Sequence, residues 1–144
     1  MSLLKIAHTP PATVPLTATA LEAVQVMAEE GVGAVAVVDD GALKGIFTER
    51  DVMLRVVLRG RDPKQVRVGE VMTAPVETTT DDAPAEEVLN FMVERHIRHL
   101  PIVDTAGKVI GMLSIRNLLE TMVEDLGNGL PSLDQYLLND GPGG

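Results

Sequence analysis

The chain has 144 residues, 45% of them apolar, 2% aromatic and none of them cysteine, with a formal charge of -9. That length and apolar content suffice for one compact core, while the missing thiols exclude disulfides, thiolate nucleophiles and Cys-based zinc or iron–sulfur sites. The negative charge argues against a nucleic-acid duplex or an anionic membrane as partner, and so few aromatic rings leave no platform for stacking single-stranded bases.

The elements come in two copies. When the sequence is slid by 65 positions, Ile6 falls on Val71, Pro10 on Pro75, Met27 on Met92, Val38 on Val103 and Asp39 on Asp104. After one inserted residue, Gly45-Ile-Phe-Thr48-Glu-Arg50-Asp51 overlies Gly111-Met-Leu-Ser114-Ile-Arg116-Asn117. A duplication of this length predicts two similar units that pack face to face, with a ligand at the seam.

The first copy opens with an apolar lead closed by Pro10 and Pro11 and an extended stretch around Val14. Helical spacing of Leu21, Val24, Met27 and Ala28 predicts a core-facing helix ended by Gly31. Val35–Val38, a turn at Asp39-Asp40-Gly41 and a second strand ending near Phe47 predict a hairpin. A second helix carries Val52, Met53, Val56 and Val57 and stops at Gly60. The second copy repeats this order: a lead from Val71 to Pro75, a helix with Val88, Leu89 and Met92, strands from Leu100 to Val103 and up to Leu113, then a helix with Leu118, Leu119, Met122 and Val123. The predicted fold class is α/β (α+β): two tandem β-α-β-β-α repeats with approximate two-fold symmetry, over 1–60 and 68–126, joined by a connector at 61–67. In the remaining 127–144, Ser132 and Gln135 have capping spacing for a short helix and the final glycines read as frayed.

The chemistry concentrates where the second strand of each copy meets its second helix. Thr48 at the N-cap with Asp51 one turn in fits two arrangements. One is a helix cap, in which the hydroxyl accepts a backbone N–H and the carboxylate favours the positive end of the dipole, contributing about 1 kcal/mol. The other uses the same N–H groups as an anion site, the hydroxyl touching a phosphate and the carboxylate accepting two ribose hydroxyls. The short Asp51 and Asn117 stand where a capping box prefers Glu or Gln, and Arg50 and Arg116 precede them, which favours the ligand arrangement. Gly45 and Gly111, inside apolar strands, mark places where another group approaches the backbone closely.

Thr48-Glu-Arg-Asp51, Val68-Gly-Glu-Val-Met72, Arg95-His-Ile-Arg-His-Leu-Pro-Ile-Val-Asp104 and Gly111-Met-Leu-Ser114 together resemble a tandem pair of cystathionine-β-synthase-type (CBS) repeats, from about Leu3 to Leu126. The resemblance implies a regulatory, energy-sensing module that binds AMP, ADP or ATP, or less often NAD or S-adenosylmethionine, between the repeats. It also implies a homodimer, to which the apolar second helices would contribute, and an unnamed protein partner under its control. It assigns Asp51 to ribose hydroxyls, Thr48 to a phosphate or ribose oxygen, and the apolar stretches around Val14 and Val35 to the base. In the second copy Ser114, Arg116 and Asn117 take the matching places, and Arg98, His99 and Pro101 stand where a basic pair faces phosphates. Asn117 replaces an expected aspartate, and an amide cannot accept two hydrogen bonds from a diol as a carboxylate does, so the two sites are expected to be unequal.

Other features carry less. His96 and His99 are three apart but straddle a helix end with no third ligand near in sequence, which favours phosphate contact or a polar role over a metal site. His8 reads as an exposed residue of the lead. Ser114 with His99 is the one pair with nucleophile–base character and lacks an orienting group, so no catalysis is expected. Half of the twelve basic residues lie between Arg50 and Arg67, a solvated face. With neither a leader pattern nor a membrane-length apolar run in the sequence, a cytoplasmic protein is expected.

Overall fold

The structure, a computed structural model, describes residues 2–125. The capping pair Ser132 and Gln135 and the terminal glycines lie outside the described residues. A single helical turn at Leu3–Lys5 precedes β1 (Thr13–Pro15), α1 (Ala20–Glu30), β2 (Ala34–Asp39), β3 (Ala42–Thr48) and α2 (Glu49–Asp51), which runs on into a wider turn at Val52–Val57. The second copy supplies α3 (Val68–Val71), α4 (Ala85–Arg95), β4 (His99–Val103), β5 (Val109–Ser114) and α5 (Ile115–Asp125). The first unit has a three-stranded sheet in the order β1-β2-β3; β4 and β5 form the second, two-stranded sheet. The second counterpart of β1 is reduced to one parallel bridge, Thr79 to Ile102, in place of the parallel Val14–Val37 pairing.

Local chemistry accounts for the boundaries. Thr19 and Glu22 close a capping box on α1, and Gly31 ends it with φ 66°. Asp40 and Gly41, both at positive φ, form the two-residue hairpin loop that a right-twisted antiparallel pair favours. The α1 stripe differs from the predicted one by a position: Ala20, Ala23 and Met27 are buried, while Leu21 and Val24 are half-buried and Ala28 is exposed. Small residues at the contact let the helix lie close against β2, which leaves the larger side chains on its flanks. In the turn after α2, the Leu58 N–H reaches back five residues to the Met53 carbonyl at 2.9 Å. That wider winding buries Val56 and turns Met53 and Val57 outward, 56% and 68% exposed.

The two leads are exchanged between the units. Leu3, from the first copy, is fully buried among Val88, Met92, Leu100, Ile102, Leu113 and Leu118 of the second. Its N–H donates to the Asp81 carbonyl at 3.1 Å, and the Ser2 hydroxyl and Leu4 N–H donate to the Asp81 carboxylate at 2.6 and 2.8 Å. Those two bonds, the hydroxyl first, hold the Asp81 carboxyl below its ordinary range. Conversely Val68 and Val71 complete the first core, with the Val68 N–H on the Ala18 carbonyl at 2.7 Å. Between the units Ala34, Ala36 and Ile46 pack on Val109 and Met112, and Ala42 bridges its own counterpart Lys108. The equivalence of these contacts is the approximate two-fold relation.

Candidate functional site

The first motif is folded in on itself. Thr48 is extended at the end of β3, so the short Asp51 side chain reaches back: the Thr48 N–H donates to Asp51 Oδ2 at 3.1 Å and the Asp51 N–H to Thr48 Oγ1 at 3.2 Å. An aspartate thus completes the reciprocal cap that the sequence pattern reserved for longer acids. The same carboxylate, 7% exposed, accepts the Thr73 hydroxyl across both oxygens at 3.1 and 3.3 Å, with Arg55 Nε at 3.6 Å from Oδ1. Burial of a carboxylate requires such partners. The group approaching Gly45 is also protein: a Cβ there would lie 2.6 Å from Met72 Sδ and 2.8 Å from the Thr73 carbonyl.

The second motif lies open on a cleft of about 990 Å³ astride the two-fold relation. One wall comes from the first copy, Gly31 to Ala34 with Glu49 and Arg50; the other from the second, with His96, Arg98, His99, Ser114, Arg116 and Asn117. Ser114 caps α5 as Thr48 caps α2: its Oγ accepts the Asn117 N–H at 3.0 Å and donates to Asn117 Oδ1 at 2.5 Å. The serine proton is therefore committed to an amide, not to the imidazole of His99 on the neighbouring strand, and the pair lacks the geometry of an activated nucleophile. The five ion pairs formed among the described residues use neither Arg50 nor Arg98, whereas Arg116 holds Glu120 at 2.9 Å. Two exposed guanidinium groups, one from each copy, thus face the cleft without an acidic partner.

His99 is half-buried with its Nε2 against Gly33, beside the Glu49 side chain. Burial, reinforced by the neighbouring Arg98 charge, pushes its pKa down to about 4. In this fold the ring is neutral at pH 7 and offers a hydrogen bond to the cleft.

The structure therefore brings Arg50, Arg98, His99, Ser114, Arg116 and Asn117 together and separates them from the rest. Thr48 and Asp51 line neither this cleft nor the smaller one of about 400 Å³ beside it. Val14 and Val35 are side chains of the first core, 4% and 0% exposed, and Pro101 is fully buried, so none of the three presents its side chain to a base. In a β-strand neighbouring positions point to opposite faces, and β2 is covered on both, Val35 and Val37 by the first core and Ala34 and Ala36 by the second unit. His8 is half-buried, not exposed: its backbone pairs with Met112 at 2.9 and 3.1 Å, and its Nε2 lies 3.0 Å from Glu30 Oε1 at the edge of the cleft. Sequence reasoning missed Glu49, Thr73 and His8. The last two stand 65 positions apart, at one place in the repeat, and that alignment was the available signal. Among the described residues no three His, Asp or Glu side chains gather as a metal site requires, and no helix is long and apolar enough to cross a membrane.

Two tandem units with exchanged leads, each ending a hairpin in a hydroxyl-capped helix, define a paired-repeat α+β fold. The family model of the CBS domain matches residues 4–58 and 68–124, well over half of the chain. A protein of Methanopyrus kandleri, MK0525, is 39% identical over 105 residues, covering 72% of this chain; the chain spans 54% of that relative. The CBS domain-containing protein YhcV of Bacillus subtilis is 35% identical over 124 residues, covering 85% of this chain and 87% of YhcV. The solved structure of a protein with CBS domains from Burkholderia ambifaria MC40-6 superposes with a TM-score of 0.78 at 37% identity, over 87% of this chain and 96% of that one. The chain belongs to the CBS domain family and carries two such domains in tandem. These matches indicate no enzyme family.

Proposed function

We propose that the chain is a nucleotide-sensing regulatory module that takes an adenosine-containing ligand in the second-motif cleft. The ligand class is AMP, ADP or ATP, with NAD and S-adenosylmethionine as the further candidates. The observation that carries this reading is the convergence of Arg50 and Arg98, from different copies and without acidic partners among the described residues, on a cleft of nucleotide size. Their guanidinium groups suit phosphate oxygens, Ser114 and Asn117 suit single ribose hydroxyls, and neutral His99 adds a hydrogen bond. A ligand touching both walls binds better when the copies take one relative angle, and that differential affinity is what shifts a population.

Output then passes to a second protein, in the cytoplasm, through a homodimer. Met53, Leu54, Val57 and Leu58 are exposed on one helical segment and supply an apolar face for a second copy. The same stripe, with Asp51 already satisfied by protein groups, favours a second reading, a dimerisation module that responds to no nucleotide.

Calorimetry against AMP, ADP, ATP, NAD and S-adenosylmethionine separates the two. Under the first reading one of them, at one hundred times its Kd, stabilises the fold by about 2.7 kcal/mol, and Arg98→Ala weakens it by roughly 10–100-fold. Flat titrations with all five, and a melting temperature that none of them moves, leave the dimerisation module.

A further inference from the structure

We infer that Thr73 is a built-in occupant of the first motif: its hydroxyl takes the place at Asp51 that a ligand diol would take, so the chain offers one nucleotide cleft and not two. The inference rests on the nucleotide reading above for what the open cleft holds.

A carboxylate that grips a vicinal diol presents both oxygens to two neighbouring hydroxyls. Here one hydroxyl spans both, at 3.1 Å from Oδ1 and 3.3 Å from Oδ2. Further groups hold that hydroxyl in place. The Thr73 backbone pairs with Ile46 in both directions, at 2.8 and 3.0 Å, and Arg55 Nη1 donates to the Met72 carbonyl at 2.8 Å. Gly45 leaves room for the segment, since any side chain there would collide with Met72 Sδ and the Thr73 carbonyl. Arg55, with Nε near Asp51 and Nη1 on Met72, ties the acid and its occupant into one cluster.

The second copy shows what the same position does when it is not an occupant. His8 is the repeat counterpart of Thr73, and its backbone makes the equivalent pair, with Met112 in place of Ile46. Its side chain, however, turns to Glu30 at 3.0 Å and leaves Asn117 hydrogen-bonded to Ser114 alone on the cleft wall. One substitution within the repeat, a short hydroxyl for an imidazole, thus accompanies a closed motif in one copy and an open one in the other.

The test is the stoichiometry and affinity of AMP and ATP on the full chain. Wild type and Thr73→Ser, which keeps the hydroxyl, bind one nucleotide per chain, and Asp51→Ala in the wild-type background leaves that count at one. Thr73→Ala gains a second site, at least 10-fold tighter than any residual binding there; the gain survives Arg98→Ala and vanishes with Asp51→Ala. An Asp51-dependent site already present in wild type overturns the inference, as does a folded Thr73→Ala chain with no added site. Should Thr73→Ala fail to fold, the wild-type response to Asp51→Ala decides alone. Failure of the nucleotide reading looks different: the Arg98-dependent binding is missing from wild type whatever Thr73 variants do.

Discussion

The chain ends two β-strands with the same pattern, glycine, hydroxyl, arginine, then acid or amide, and sets the two copies in opposite surroundings. At Thr48 and Asp51 the hydroxyl and the carboxylate both find protein partners, while Arg50 between them turns to the cleft, and the approaching segment is pressed into the strand at Gly45. At Ser114 and Asn117 the cap is just as complete and the other lead packs on Gly111 in turn, but among the described residues no side chain of that lead bonds Asn117, which lines a cleft. The residue with the stronger ligand chemistry, the carboxylate, is the one already engaged, while the weaker amide faces the cleft with arginines near it. A motif therefore states what a site could bind, and the neighbouring segment decides whether anything reaches it.

The comparison breaks most decisively at the exchanged leads. Leu3 belongs to the first copy but is buried in the second core, so Leu3→Ala is expected to cost about 3 kcal/mol from lost burial and the cavity left behind. Amide exchange should rise first in 88–118, in the second unit; a loss of protection confined to the first unit would contradict the exchange.

A somewhat smaller effect separates the copies by pH. His99 titrates at about 4 when folded against an ordinary 6.5, so between those values the unfolded chain holds a proton that the folded chain does not. Its stabilising contribution is complete above pH 6.5 and is lost as pH falls toward 4, by about 2–3 kcal/mol after discounting for the part of the ring that water reaches. The first copy has Ala34 at this place, so His99→Gln alone should flatten the difference between acid and neutral melts. An unchanged slope would mean that the imidazole titrates normally in the fold.

The smallest contrast compares the two glycines. Gly45→Ala drives a Cβ onto a backbone carbonyl and a sulfur that is itself packed in, and should cost about 2 kcal/mol; Gly111→Ala meets Leu4 Cδ2 at 2.8 Å, the movable end of a side chain, and should cost under about 1 kcal/mol. Chemical denaturation of the two variants measures the difference, and equal costs would show that the closed motif is no more rigid than the open one.

Much of this was legible beforehand. Strand and helix order in the first copy, the hairpin at Asp40-Gly41 and the helix stop at Gly31 follow from periodicity and turn chemistry, because each depends on residues close in sequence, whereas the second copy keeps a single bridge in place of its first strand. Arg98, His99, Ser114 and Asn117 were found as a group because they cluster near strand ends. Val14, Val35 and Pro101 read from the sequence as ligand contacts and lie inside the protein, since β2 is an unbroken apolar run whose two faces are both covered, Val35 by the first core and Ala34 and Ala36 by the second unit. The α1 stripe missed by one position for a related reason: helix spacing defines a face, and the packing distance to β2 selected its alanines.

The sequence by itself determined that there are two copies, what elements each contains, and which side chains could hold a phosphate or a sugar. Only the tertiary structure decided that each lead completes the opposite core and that Thr73 closes one motif while His8 leaves the other open. Both leads carry apolar side chains that either core could take, and a hydroxyl serves an acid from its own copy as well as from another. Choices of that kind are made by which surfaces meet, and no local pattern of residues encodes them.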